Sequence, residues 1–173
     1  NQEGNDEESD CLVCAKGRYN EQIHQTACKD CGHGKYNNLT QSIVSTACIS
    51  CVSGRYRSGL AATDEANCTK CSVGKYMRSD YTGRSSVNDC YQCPKGKYSD
   101  ELGLAGTYES RFGELSSDKT NCKKCPEGTY ADQYARSVLA TGCKSCPVGK
   151  FQPLLRRTKS SYCSQCPTGW WQG

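Results

Sequence analysis

The chain has 173 residues, 22 of them basic and 18 acidic, with a formal net charge of +4, so nothing in its charge calls for a nucleic-acid partner. Leu, Ile, Val and Phe together make up only 21 of the 173 residues, well under the roughly 20% below which a cysteine-free chain is expected to stay disordered. One ordinary apolar core is excluded, and the sixteen cysteines are the remaining means of holding a fold, as in secreted disulfide scaffolds.

The first segment, Asn1 to Asp10, is acidic and polar where a secretory leader would be apolar, so the chain reads as a mature or excised segment. Its run Asp6, Glu7, Glu8 and Asp10 lacks the alternation of a calcium loop and reads as a solvated tail. No stretch approaches the roughly 18 to 20 consecutive apolar residues of a membrane span.

From Cys11 to Trp171 the chain is a tandem repeat of Cys-x-x-Cys-x-x-Gly-x-aromatic, with units starting at 11, 28, 48, 68, 90, 122, 143 and 163. All eight copies keep the glycine, Gly17 through Gly169. All keep the ring two residues later: Tyr19, Tyr36, Tyr56, Tyr76, Tyr98, Tyr130, Phe151 and Trp171. A glycine at fixed offset predicts a turn with positive φ or a close backbone approach, and the ring is suited to lie over a neighbouring disulfide. One ring per unit does not make a core, so the units must stack. The segments between cysteines are short, polar and without a 3.6-residue apolar period, which predicts short strands, two per unit, and turns. The fold class expected is therefore a small disulfide-rich β protein, an elongated rod of eight stacked units of about 20 residues with little or no helix. The fifth unit carries an insertion over 99–121, with Tyr108, Arg111 and Phe112, as its most individual surface.

The runs Cys93 to Tyr98, Cys125 to Tyr130 and Cys146 to Phe151 resemble the ephrin-receptor-like cysteine-rich repeat, which is similar in turn to the cysteine-rich modules of tumour necrosis factor receptors. The resemblance spans Cys11 to Trp171 and implies a scaffold and an extracellular compartment, not an activity. Two departures stand out: the insertion in the fifth unit, and Trp170 with Trp171 in place of the usual basic-aromatic pair.

Spacing alone leaves the cysteine pairing open. In a ladder, neighbouring motifs close into blocks, Cys11 with Cys28 and Cys14 with Cys31. The resemblance implies instead a staircase: Cys14 with Cys28, Cys31 with Cys48, Cys51 with Cys68, Cys71 with Cys90, Cys93 with Cys122, Cys125 with Cys143 and Cys146 with Cys163. At about 3 kcal/mol per bridge in the chain-entropy model, reduction is then expected to unfold the chain. The staircase strands Cys11 and Cys166, which suggests joining of Cys166 to Cys11 of a further unit, with Trp170 and Trp171 across the junction. The alternative is that the end cysteines have simply lost their partners.

Other chemistries fit less well. Cys48, Cys51, Cys68 and Cys71 have a four-cysteine zinc spacing, a minor alternative against the Gly-x-aromatic tail on every motif. Eight pairs in one polar framework do not resemble a single redox-active pair. His24 and His33 have no nucleophile or acid at recognisable spacing, so no catalytic set and no cofactor is expected. Arg18, Lys35, Arg55, Lys75, Lys97 and Lys150 stand beside the rings. They either cover them with their stems, the charge remaining in water, or present cations to acidic glycans or neighbours. The sequons at Asn38 and Asn67 are candidate N-glycosylation sites.

The sequence thus predicts a structural subunit of an extracellular filament, surface coat or spacer, assembling with itself head to tail. A receptor-like ectodomain that binds a protein ligand is the alternative.

Overall fold

The computed structural model of the protein describes residues 11–106, 120–134, 137 and 139–170; the acidic segment 1–10, most of the fifth-unit insertion and Trp171 lie outside the described residues. The molecule is a small disulfide-rich β fold, and among the described residues seven hairpins link successive repeats.

Each unit begins with a tight turn. Arg18 N–H donates to the Ala15 carbonyl at 3.2 Å, and the same bond recurs seven times, to Trp170 onto Pro167 at 3.0 Å. The motif glycine occupies the third position of this turn with positive φ, between 72° at Gly34 and 88° at Gly54, a conformation that only glycine enters without strain. The turn delivers the ring onto a strand of two residues, or four in the fourth unit, which pairs antiparallel with the residues after the next first cysteine. β1 (Arg18–Tyr19) pairs in this way with β2 (Lys29–Asp30), β3 (Lys35–Tyr36) with β4 (Ile49–Ser50), and β5 (Arg55–Tyr56) with β6 (Thr69–Lys70). β7 (Lys75–Arg78) pairs with β8 (Tyr91–Gln92), and β9 (Lys97–Tyr98) skips β10 (Ala105–Gly106) to pair with β11 (Lys123–Lys124). β12 (Thr129–Tyr130) with β13 (Lys144–Ser145) and β14 (Lys150–Phe151) with β15 (Ser164–Gln165) complete the series.

A single helical turn precedes the first cysteine of most pairs. It is a 3-10 turn at Ser45–Ala47, Glu65–Asn67, Val87–Asp89 and Ser160–Tyr162, and one turn of α-helix at Leu139–Gly142. Asp64 and Ser86 cap two of these, accepting from Ala66 N–H and Asn88 N–H.

Seven disulfides run as a staircase: Cys14–Cys28, Cys31–Cys48, Cys51–Cys68, Cys71–Cys90, Cys93–Cys122, Cys125–Cys143 and Cys146–Cys163. They and the rings form a chain of small cores. Tyr56 packs on the cluster of Cys71, Met77 and Cys90, and Tyr98 packs on Cys125, Ala131 and Cys143, while Tyr76 is itself buried with Cys93 and Cys122. The ring of each of these units therefore covers the bridge that leaves the next.

Stacking reaches beyond the nearest neighbour. The second cysteine of each later unit donates its N–H to the glycine carbonyl of the unit before, from Cys31 onto Gly17 to Cys166 onto Gly149. A left-handed residue in the following loop then reaches further: Gln41, Ala61, Gly83, Gly103 and Arg156 all have positive φ. Each donates its N–H to the second cysteine of the preceding unit, namely Cys14, Cys31, Cys51, Cys71 and Cys125. Carbonyls of these residues lie over glycines two units back: Ala61 over Gly17, Gly83 over Gly34, Gly103 over Gly54 and Arg156 over Gly96. A side chain at any of those glycines would overlap main chain.

Candidate functional site

The staircase leaves one thiol at each end. Cys11 is free and exposed, and Cys166 is free and partly exposed. Both stand where the repeat would place one half of a further bridge. At the first end Leu12 and Val13 follow Cys11 with 93% and 58% of their surface exposed; at the other, Trp170 is 76% exposed. Trp171, grouped with these residues by the sequence, lies outside the described residues.

Main-chain groups at the two ends are left open in a complementary way. Cys14 N–H has no acceptor among the described residues, whereas its counterpart Cys31 donates to Gly17 at 2.8 Å. At the far end no described residue donates to the carbonyls of Gly169 and Cys146, and Gln152 N–H has no described acceptor, although Ala131 N–H in the unit before donates to the Arg157 carbonyl. Nothing described stands within 4 Å of a Cβ placed on Gly128, while Gly96 one unit earlier has the Arg156 carbonyl oxygen at 2.7 Å from such a position.

The remaining predicted residues are placed as follows. Cys48, Cys51, Cys68 and Cys71, with the zinc spacing, belong to three different disulfides, so their sulfurs are not available as thiolates. His24 is one of the left-handed loop residues, and His33 Nδ1 lies 2.6 Å from the Ser58 carbonyl. Asn38 is exposed. Asn67 is half-buried, its side-chain oxygen accepting from the main-chain N–H of Thr63 and Asp64 at 3.0 and 3.1 Å.

The cations beside the rings are not a uniform row. Arg18 pairs across its hairpin with Asp30 at 2.8 Å, and Arg55 with Glu65 at 3.5 Å. Lys97 departs most from the expectation that the charge stays in water: it is wholly buried, its Nζ donating to Thr120 Oγ1 at 3.3 Å. Thr120, itself wholly buried, thus stands beside the lysine although it lies 23 residues further along the chain. At the start of the fifth-unit insertion, hydrogen bonding from Lys123 holds the Asp100 carboxyl below the usual carboxylate range. Tyr108, Arg111 and Phe112 lie outside the described residues.

Sequence reasoning missed one lateral cluster. Arg84 lies over the Tyr81 ring at 3.6 Å and Arg78 at 4.6 Å from its centroid, within favourable cation–π range. Arg78 also holds Asp80 through two hydrogen bonds of 3.0 and 2.8 Å, which lowers the Asp80 pKa. Hydrogen bonding to Tyr81 raises the pKa of Tyr91, whose ring is 6.4 Å away. Tyr81 stands outside the repeated motif, so no periodic signal marked it. Compared with known proteins, the chain matches no family model and no curated sequence.

Proposed function

We propose that this chain is an architectural element outside the cell, a subunit of a filament, surface coat or spacer built from ephrin-receptor-like repeats and joined end to end. The observation that carries this reading is the staircase of seven disulfides through successive hairpins, in which Cys11 and Cys166 of the outermost motifs have no partner within one copy of this chain. Seven disulfides favour an oxidising compartment, and a fold made of turns, two-residue strands and bridges supplies a length of scaffold without a catalytic role. Glycans on the sequons would keep its flanks hydrated, and acidic glycans or other extracellular proteins are secondary partners.

Joining forms one S–S bond from the Cys166 thiol of one copy and the Cys11 thiol of the next. The two protons and two electrons pass to a small-molecule disulfide, which leaves as two thiols.

A second reading, a receptor-like ectodomain, has one specific observation in its favour: the cluster of Arg78, Tyr81, Arg84 and Tyr91 gives the side of the stack an aromatic and cationic patch of the kind that anchors protein partners.

Sizing the purified protein under oxidising and reducing buffers separates the two. Multiples of 19.0 kDa that collapse to one species on reduction support end-to-end assembly. A monomer at every concentration, binding a partner that an Arg84→Ala variant no longer holds, supports the ectodomain.

A further inference from the structure

Three of the repeated rings stand in the middle of a row of paired residues. Across their hairpins Tyr36 faces Ile49, Tyr56 faces Thr69 and Tyr130 faces Lys144. On the other side the same rings pair in parallel with Ala62, Arg84 and Arg157. Residues paired in this way share one face of a sheet. The third member of each row stands six residues before a first cysteine, at Cys68, Cys90 and Cys163. Along the whole chain that position holds arginine twice, at Arg84 and Arg157, beside rings three units apart.

The two arginines share a second property. Arg84 lies 3.6 Å from the centroid of the Tyr81 ring and Arg157 4.9 Å from that of Tyr162, each a tyrosine of its own loop. Stacking on a ring orders the guanidinium and leaves its N–H edge for a planar anion, which it can hold through two parallel bonds. Other arginines of the stack already have a carboxylate: Arg18 has Asp30, Arg55 has Glu65 and Arg78 has Asp80. Arg84 and Arg157 have none among the described residues, and Arg84 Nε is closed to solvent without an acceptor. Around the second position, the sequence between Asp132 and Trp171 has six basic residues and no acidic one.

We propose that Arg84 with Tyr81 and Arg157 with Tyr162 are two equivalent stations for an acidic polysaccharide, sulfated or carboxylated, that follows the stack from one to the other. A folded acidic partner presents its carboxylates at spacings of its own. A linear polymer with a charge on every unit meets both arginines whatever the turn between repeats, and two weak contacts on one polymer act together. The inference rests on the extracellular placement proposed above and needs no joining of copies.

Heparin serves as the probe, with the full chain and its bridges intact. It is expected to bind at least tenfold more tightly than a heparin disaccharide, which occupies one station at a time, and to weaken as ionic strength rises. Arg84→Gln and Arg157→Gln, which keep a stem over the ring, should each lower heparin affinity about tenfold or more. Arg18→Gln, which removes a cation already paired on the surface, should change it less than about twofold. Arg84→Lys, which keeps the charge and loses the planar fork, should recover only part of the loss. An unchanged thermal midpoint in each variant shows that the stack is intact. An equal loss with Arg18→Gln, or an effect of only one of the two stations, overturns the paired arrangement. Poly-glutamate bound as tightly as heparin overturns the polysaccharide in favour of an acidic protein segment. Heparin left unbound by the folded chain overturns the inference altogether, while the joining of copies is judged separately by sizing.

Discussion

The carbonyl oxygen of Gly83 occupies the space that a Cβ on Gly34 would need, although the two residues belong to units two apart. The motif glycine thus has two duties, the left-handed turn and a seat for a distant loop, and the two separate along the chain. At Gly128 only the first applies within one copy, since nothing described stands over it. Gly128→Ala should cost the left-handed strain alone, about 1–2 kcal/mol. Gly34→Ala adds the overlap with Gly83 and should cost roughly 3 kcal/mol or more. Thermal unfolding of the two variants with disulfides intact measures the difference, and equal losses would remove the seat from the account.

Thr120 Oγ1 accepts from both Lys97 Nζ and Cys122 N–H at 3.3 Å, in a site closed to solvent. Thr120→Val keeps the shape and deletes an acceptor that Lys97 Nζ and Cys122 N–H share, which should cost about 1–3 kcal/mol through the lost hydrogen bonds. Thr120→Ser, which keeps the hydroxyl, should recover most of the loss.

The two sequons differ in accessibility. Asn38 stands exposed on a loop, while the Asn67 side chain is held in a capping box directly before a bridged cysteine. Expression through a secretory pathway is expected to glycosylate Asn38 and leave Asn67 bare, and enzymatic release in heavy water followed by mass spectrometry reads the occupancy of each.

Removing one interior bridge, Cys51 and Cys68 both to Ser, frees a loop with a sequence separation of 17 and should cost about 3 kcal/mol in the chain-entropy model. Because Tyr56 packs on the following bridge, Cys71–Cys90, its near-ultraviolet signal should persist below the new midpoint. Full reduction should abolish the folded signal.

The Asp100–Lys123 pair predicts a pH effect of definite sign. The folded-state pKa of Asp100 is lowered, first through its hydrogen bond from Lys123, so its contribution is present above the unfolded carboxylate pKa and is lost as pH falls through the folded value. A carboxyl titration of Asp100 should have its midpoint below the ordinary aspartate value, and Lys123→Met should bring it back.

Much of the architecture was legible because the residues that fix it are few and repeated. The turn, its glycine, the ring and the double cysteine can be read from any two units. Spacing did not choose between ladder and staircase, since both close short loops of similar length, and the bridges seen follow the scheme that the family resemblance implies. The second-neighbour seat was hidden for a different reason. It is made by main-chain atoms of Ala61, Gly83, Gly103 and Arg156, residues with no side-chain feature in common, so composition carries no trace of it. Ala61, Gly83 and Arg156 share only a distance of seven residues from the next first cysteine, and Gly103, ahead of the insertion, lacks even that. Burial of Lys97 was equally hidden, because the partner described beside it, Thr120, lies 23 residues away in the sequence.

The staircase also determines how the molecule answers a pull on its ends. Fully drawn out, the peptide from Cys14 to Cys163 would span roughly 520 Å at about 3.5 Å per residue. A force is carried by the shorter covalent route, through seven bridges of 5.5–6.0 Å between Cα atoms and six two-residue links within the cysteine pairs, about 100 Å in all. The hairpin loops hang outside that route, so unfolding them releases almost no length. Between those two cysteines the chain behaves as an inextensible strap whose reach is set by covalent bonds, and only a reductant lets it out, about fivefold.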